Sequence, residues 1–237
     1  MSSLVHPTAI IDPQARVAED VEVGPYAIIE ERVSIAAGCR IAAHAIVRRG
    51  SILDQEVVVD SFAVVGGPPQ DLSFSPATAS SVQVGAGTVI REGVTIHRST
   101  QADGVTRIGA NCLLMGNSHV AHDCQLGDGG CGIHQYVNIG QMVMVAGNAS
   151  ITYDVPAYVM VAERSTVTGL NLVGLKRRLS REVISDLRAC YKSVYMQPGD
   201  PVKLAQATTA QTPEGKDFLA CFRPSRRGRM SRSRAQS

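Results

Sequence analysis

The segment HVAHDC holds the densest chemistry in the chain: His119, His122 and Asp123 lie within five residues. Histidine changes charge near neutral pH and can take a proton from a hydroxyl, and a neighbouring carboxylate can hold the ring in the required tautomer. A base of this kind suits group transfer to an alcohol, provided that donors elsewhere stabilise the oxyanion. The same stretch, extended to Cys124, Cys131 and His134, also brings metal-ligating residue types close in sequence. Its spacing, H-x2-H-x-C-x6-C-x2-H, matches no structural zinc pattern, so we expect no metal and no cofactor. Two histidines on a surface corner, with no chemistry, are the bland alternative.

Elements must hold these residues in place, and the sequence shows which. Starting at Val5 and stepping by six, the chain meets Ile11, Val17, Val23, Ile29, Ile35, Ile41, Val47, Leu53, Val59 and Val65 without a miss. Four residues after each anchor stands a small or β-branched side chain, as at Ala9, Val21, Ala27, Val33, Cys39 and Ala45. Neither a helix nor an alternating strand has a period of six, whereas a parallel β-helix does. The period breaks at GGPPQDLSFSPATASS, resumes on Val84, Ile90 and Ile96, breaks again at HRSTQADG, and continues through Ile108, Leu114, Val120 and Leu126. A last set, Ile133, Ile139, Val145 and Ile151, is displaced by one residue. These 22 hexapeptides predict about seven three-sided coils, with the two interruptions as external loops.

Composition agrees. Hydrophobic residues make up 44% of the 237, yet aromatics are 4% and Trp is absent, as thin aliphatic layers require. The six cysteines form no CxxC pair, and the start MSSLVHPTAI has no basic region of a secretory signal, so we expect free thiols in a reducing, cytoplasmic setting. No apolar run is long enough to span a bilayer. Six arginines crowd the last fifteen residues, which leaves the body of the chain at −4 from a total of +2. A mildly acidic body speaks against nucleic-acid binding. Beyond about Thr168 the repeat is lost. Ser180 can cap a helix running to Met196, stopped by Pro198 and Gly199, and a weaker helix is expected between Val202 and Phe222. The expected organisation is a β-helix over 1–168, a helical domain over 169–222 and a basic, unstructured tail over 223–237.

Seven motifs in order, HPTAIIDPQARV, GGPPQDL, IREGVTIHRST, LLMGNSHVAHDC, HQYVNIG, DVPAYVM and GLNLVGLKRR, resemble the acyl-[acyl-carrier-protein]:UDP-N-acetylglucosamine O-acyltransferases that begin lipid A synthesis. The resemblance implies a left-handed β-helix, a helical C-terminal domain and a homotrimer. It also implies acyl carrier protein and UDP-N-acetylglucosamine as partners, with the acyl group passing to the sugar 3-OH. It makes His122 the general base and Asp123 its support, and sets His97 and His119 along the substrate site. Gln70, Asp71, His134, Gln135, Asn171, Arg177 and Arg178 fall at substrate-binding positions. The sequence departs from the family between His122 and His134, where roughly four hexapeptides are missing, together with the family's oxyanion-hole glycine. Gly140 is the candidate replacement donor, and the shortening predicts a rotation of the downstream coils by a third of a turn. A degenerate homologue that binds nucleotide sugar or acyl carrier without turnover is the alternative reading.

Overall fold

A computed structural model describes residues 4–127, 136–145, 151–162, 166–223 and 231–232. The chain divides into two compact units, Met1–Tyr136 and Val137–Ser237.

In the first unit, short strands stack into three parallel faces. One face carries Ile10–Ile11, Ile28–Ile29, Ile46–Val47, Val64–Gly67, Thr95–His97 and His119–Val120. The second runs from Arg16–Val17 through Ser81–Val84 to Gln125–Leu126, and the third from Glu22–Val23 to Leu113–Leu114. Partners along a face are 18 residues apart where the repeat is unbroken, as for Ile10 with Ile28 and Ile28 with Ile46. The anchors fill the interior: Val23, Ile29, Ile35, Ile41, Val47, Leu53, Val59 and Val65 are each at most 2% exposed. Each such side chain, taken out of water, contributes roughly 1.5–3 kcal/mol, so the repeat itself is the core.

Register shows where the interruptions leave the coil. Val64 pairs with Thr95, 31 residues on, and Thr95 with His119, 24 residues on. Both extra lengths lie between a strand of the first face and the next strand of the second, at one corner of the triangle. Gly66, at φ +84°, starts the first departure in a left-handed conformation that suits glycine. The other corners turn through residues such as Tyr26, His44 and Glu56 at φ near +58°. Sequence rules reserve that region mostly for Gly and Asn, but stacking on adjacent coils imposes it here.

The second unit begins earlier than the expected boundary at 168. Its coil residues are tied to its helices: Asn171 N–H donates to Tyr158 O (2.8 Å), and Gln141 Nε2 donates to Asp217 Oδ2 (2.9 Å). A hairpin of Val159–Ala162 and Thr166–Leu170 precedes four helices, α1 (Leu172–Arg178), α2 (Arg181–Tyr195), α3 (Pro201–Ala207) and α4 (Pro213–Ala220). Ser180 caps α2 by accepting from Val183 N–H, and Met196 ends it, as the sequence signals require. The single helix expected over 202–222 is two, because Thr212 caps a new start and Pro213 follows it. Tyr191, Tyr195, Phe218 and Phe222 pack against one another, an aromatic cluster of a kind that the aliphatic interior of the first unit lacks. The basic tail also departs from expectation. Ser231–Arg232 pairs in parallel with Thr166–Val167.

Candidate active site

The corner that carries both insertions also carries His122 and Asp123, so the site is built from loops held one above another by the coil. His122 Nδ1 lies 2.7 Å from Asp123 Oδ2, and the two side chains are 8% and 9% exposed. Asp123 turns the corner at φ +61°. Its N–H donates to Thr106 Oγ1 (2.8 Å), which fixes the turn to the coil below. Its carboxylate also accepts from Thr100 Oγ1 (2.7 Å), from Thr100 N–H (3.2 Å) and from the Ser99 hydroxyl. Burial acts to raise the Asp123 pKa, but the donors from Ser99, Thr100 and His122 outweigh it and hold the group below the ordinary carboxylate value. A carboxylate kept charged beside Nδ1 favours the tautomer with the proton on that nitrogen, which leaves Nε2 as the acceptor. Tyr136 presents its ring edge-on to His122, with centroids 5.7 Å apart.

Two further histidines adjoin this pair. His119 is paired with Thr95 across the face and shares a 2.7 Å hydrogen bond between its Nδ1 and Thr95 Oγ1. His97 meets His119 edge-on at 4.6 Å and is 8% exposed, with its Nδ1 buried and without a hydrogen-bond partner. Burial, then the nearby His119 and His122, push the His97 pKa down to about 4. Burial, followed by His122, also lowers His119. Both rings are therefore neutral at pH 7, offering one donor and one acceptor each without adding charge.

This arrangement predicts acid sensitivity. Folded His97 binds a proton more weakly than the unfolded chain does, so its effect is absent above pH 6.5 and grows as pH falls toward 4. Between pH 7 and pH 5 we expect a loss of about 1–2 kcal/mol, discounted for solvent screening. Urea unfolding at both pH values, for the wild type and His97→Gln, measures it. The variant should lose visibly less on acidification, and an equal loss would contradict this assignment.

The 68–80 loop brings Gln70 and Asp71 to the same corner, both exposed. Asp71 Oδ1 accepts from Ser73 N–H (2.8 Å) and Ser73 Oγ (2.7 Å), and these bonds lower its pKa. His122 contributes to the same lowering, so the loop carboxylate lies within electrostatic range of the dyad.

In the second unit, Asn171 caps α1: its Oδ1 accepts from Gly174 N–H (3.0 Å), and its Nδ2 donates to Met142 O (3.0 Å). Arg177 and Arg178 are exposed in the last turn of α1, where they also complement the helix dipole. Gly140 requires a correction. Its N–H donates to Val155 O at 2.9 Å, and a Cβ there would collide with Ala157, so it is a tightly packed coil residue and not an available oxyanion donor. His134, Gln135 and Cys131 lie outside the described residues, as does the shortened stretch that bears on the expected coil rotation. Among the described residues, no group of three or more His, Cys, Asp or Glu could hold a metal ion.

Sequence reasoning missed Ser99, Thr100 and Thr106, the partners of Asp123. They come from an insertion and a strand that only coil stacking places beside it, although HRST between repeats marks a polar cluster leaving the helix.

A parallel β-helix with a buried His–Asp pair under a loop-built corner defines a hexapeptide-repeat acyltransferase. Residues 154–230 match the family described as Udp N-acetylglucosamine O-acyltransferase, Domain 2. The acyl-[acyl-carrier-protein]–UDP-N-acetylglucosamine O-acyltransferase of Janthinobacterium sp. is 35% identical, over 93% of this chain and 95% of its own. The protein of the same name from Rhizobium johnstonii is 32% identical, over 84% and 82%. The solved LpxA from Acinetobacter baumannii matches with a TM-score of 0.82 at 33% identity, covering 96% of this chain and 99% of that one. LpxA from Bacteroides fragilis, a UDP-N-acetylglucosamine acyltransferase, gives 0.79 at 30% identity, over 95% and 99%. The chain belongs to the family of acyl-[acyl-carrier-protein]–UDP-N-acetylglucosamine O-acyltransferases, and its fold is their left-handed β-helix followed by a helical C-terminal part.

Proposed function

We propose that this chain transfers a 3-hydroxyacyl group from acyl carrier protein to the 3-OH of UDP-N-acetylglucosamine, the first step of lipid A synthesis. The observation that carries the reading is the 2.7 Å contact of His122 Nδ1 with a carboxylate that three other donors keep charged. With Nδ1–H so engaged, His122 Nε2 takes the proton of the sugar hydroxyl as its oxygen attacks the thioester carbonyl. The C–O bond forms, the tetrahedral intermediate collapses with cleavage of the C–S bond, and the departing thiolate takes the proton back from His122. Asp123 stays ionised throughout and stabilises the imidazolium. Neutral His97 and His119 line the acceptor or acyl pocket, and Gln70 and Asp71 hold the sugar head group or the pantetheine arm. Arg177 and Arg178 meet phosphate oxygens, for which the guanidinium fork is suited. Asn171 acts by fixing the start of their helix. Mass spectrometry of the nucleotide sugar after incubation with 3-hydroxyacyl carrier protein tests the reading. A 3-O-acyl product supports it, and free fatty acid alone, from thioester hydrolysis, contradicts it.

In this reading the working form is a cytoplasmic homotrimer. Ile10, Ile28, Ile46 and Val64 form an outward apolar ladder on the face that ends in His119, and Ile10 is 63% exposed. Among the described residues, no helix is long and apolar enough to cross a membrane. Light scattering at micromolar concentration should give three times the 25.1 kDa chain mass. A particle of single-chain mass would overturn the trimer.

A further inference from the structure

Arg98 directly follows the strand Thr95–His97 and is 5% exposed. Burial, then repulsion from Arg49 and Arg48, lowers its pKa, and Glu30 opposes them. A buried guanidinium among like charges is costly and must be compensated by well-placed acceptors. Here the compensation comes from one segment. Nη1 donates to Thr78 O at 2.7 Å, Nη2 donates to Pro76 O at 3.1 Å, and the guanidinium carbon sits 4.9 Å from the centre of the Phe74 ring. Arg49, which follows Ile46–Val47 two coils away, donates to the same Pro76 carbonyl. All of these contacts fall in the loop that carries Gln70 and Asp71. The link continues inward, because Phe74 N–H donates to Asp71 O at 3.0 Å. Asp71 is exposed, and among the described residues its carboxylate accepts hydrogen bonds from Ser73 of the same loop, so its placement depends on this anchorage.

We infer that Arg98 is a positioning residue for acyl transfer: through Phe74, Pro76 and Thr78 it clamps the 68–80 loop so that Gln70 and Asp71 face the substrate at His122. This inference rests on the acyltransferase reading above. A planar fork that serves two carbonyls while stacking on a ring is a task for arginine, which the point charge of lysine does not reproduce.

The test is a double-mutant cycle in the acyl-transfer assay with the full chain. Arg98→Met should raise KM for UDP-N-acetylglucosamine about tenfold. The pH profile of kcat should stay in place, because the His122–Asp123 pair is untouched. Arg98→Lys should restore little. Adding Asp71→Ala to Arg98→Met should cost much less than Asp71→Ala costs in the wild type, because the clamp acts through that loop. Phe74→Leu, which keeps the guanidinium hydrogen bonds, should raise KM in the same direction and serves if Arg98→Met fails to fold. Additive losses in the cycle, or a drop in kcat with KM unchanged, would overturn the assignment in an active enzyme. No turnover by the wild type would instead remove the acyltransferase reading itself.

Discussion

Replacing His122 with alanine is expected to lower kcat by about 10²–10⁴-fold, the range typical of a lost general base. The reason is local. Among the described residues, His122 is the imidazole whose Nδ1 is held by a charged carboxylate, and Nε2 is thereby the proton acceptor. His97 and His119 do not substitute, because burial has already weakened both as bases. The fold should survive, since the coil at this corner is secured by the Asp123 N–H bond to Thr106 and by the buried anchors Val120, Cys124 and Leu126. Steady-state kinetics with circular-dichroism melting check both parts. A loss of less than about threefold in a well-folded variant would remove His122 from the chemistry.

Asp123→Asn should cost a comparable amount, about 10²–10⁴-fold, without a change of shape. Asparagine tolerates the φ of +61° at this corner, and its amide matches the carboxylate in size. The difference lies in the charge. Thr100 N–H, Thr100 Oγ1 and His122 Nδ1 all meet Oδ2, so the amide oxygen takes that place and its NH₂ faces Ser99 Oγ, a hydroxyl that can turn to accept. His122 then keeps its tautomer but loses the negative charge that stabilises the imidazolium as the hydroxyl proton is taken. The prediction is a fall in kcat/KM at every pH, measured from pH 5 to 9. A simple shift of the profile with an undiminished plateau would show that the Asp123 charge is not needed in the transition state.

Much of the fold was legible because one force dominates it. A six-residue period of Val, Ile and Leu has a single way to bury every anchor, and positions such as Ile41, Leu53 and Ile90 are at most 1% exposed. The two breaks in the period also read correctly as excursions from the coil. The corner from which both leave was not legible, because it follows from strand pairing and not from either loop's own residues. The dyad itself, His122 with Asp123, stands in adjacent sequence positions, whereas its support comes from residues 17 to 24 positions away. Gly140 shows the opposite failure. Its sequence position suggested a free N–H, but the coil uses that donor on Val155. In the second unit, Ser180 announced α2 through its cap. The break between α3 and α4 is marked by Thr212-Pro213, a cap and a first-turn proline that start a second helix within 202–222.

The most direct test is a rate comparison in one assay: 3-hydroxyacyl carrier protein and UDP-N-acetylglucosamine at neutral pH, with the wild-type chain and His122→Ala in parallel. The account predicts sugar ester forming with the wild type at least about a hundredfold faster than with the variant. Equal ester formation by the two proteins, at whatever level, would contradict it.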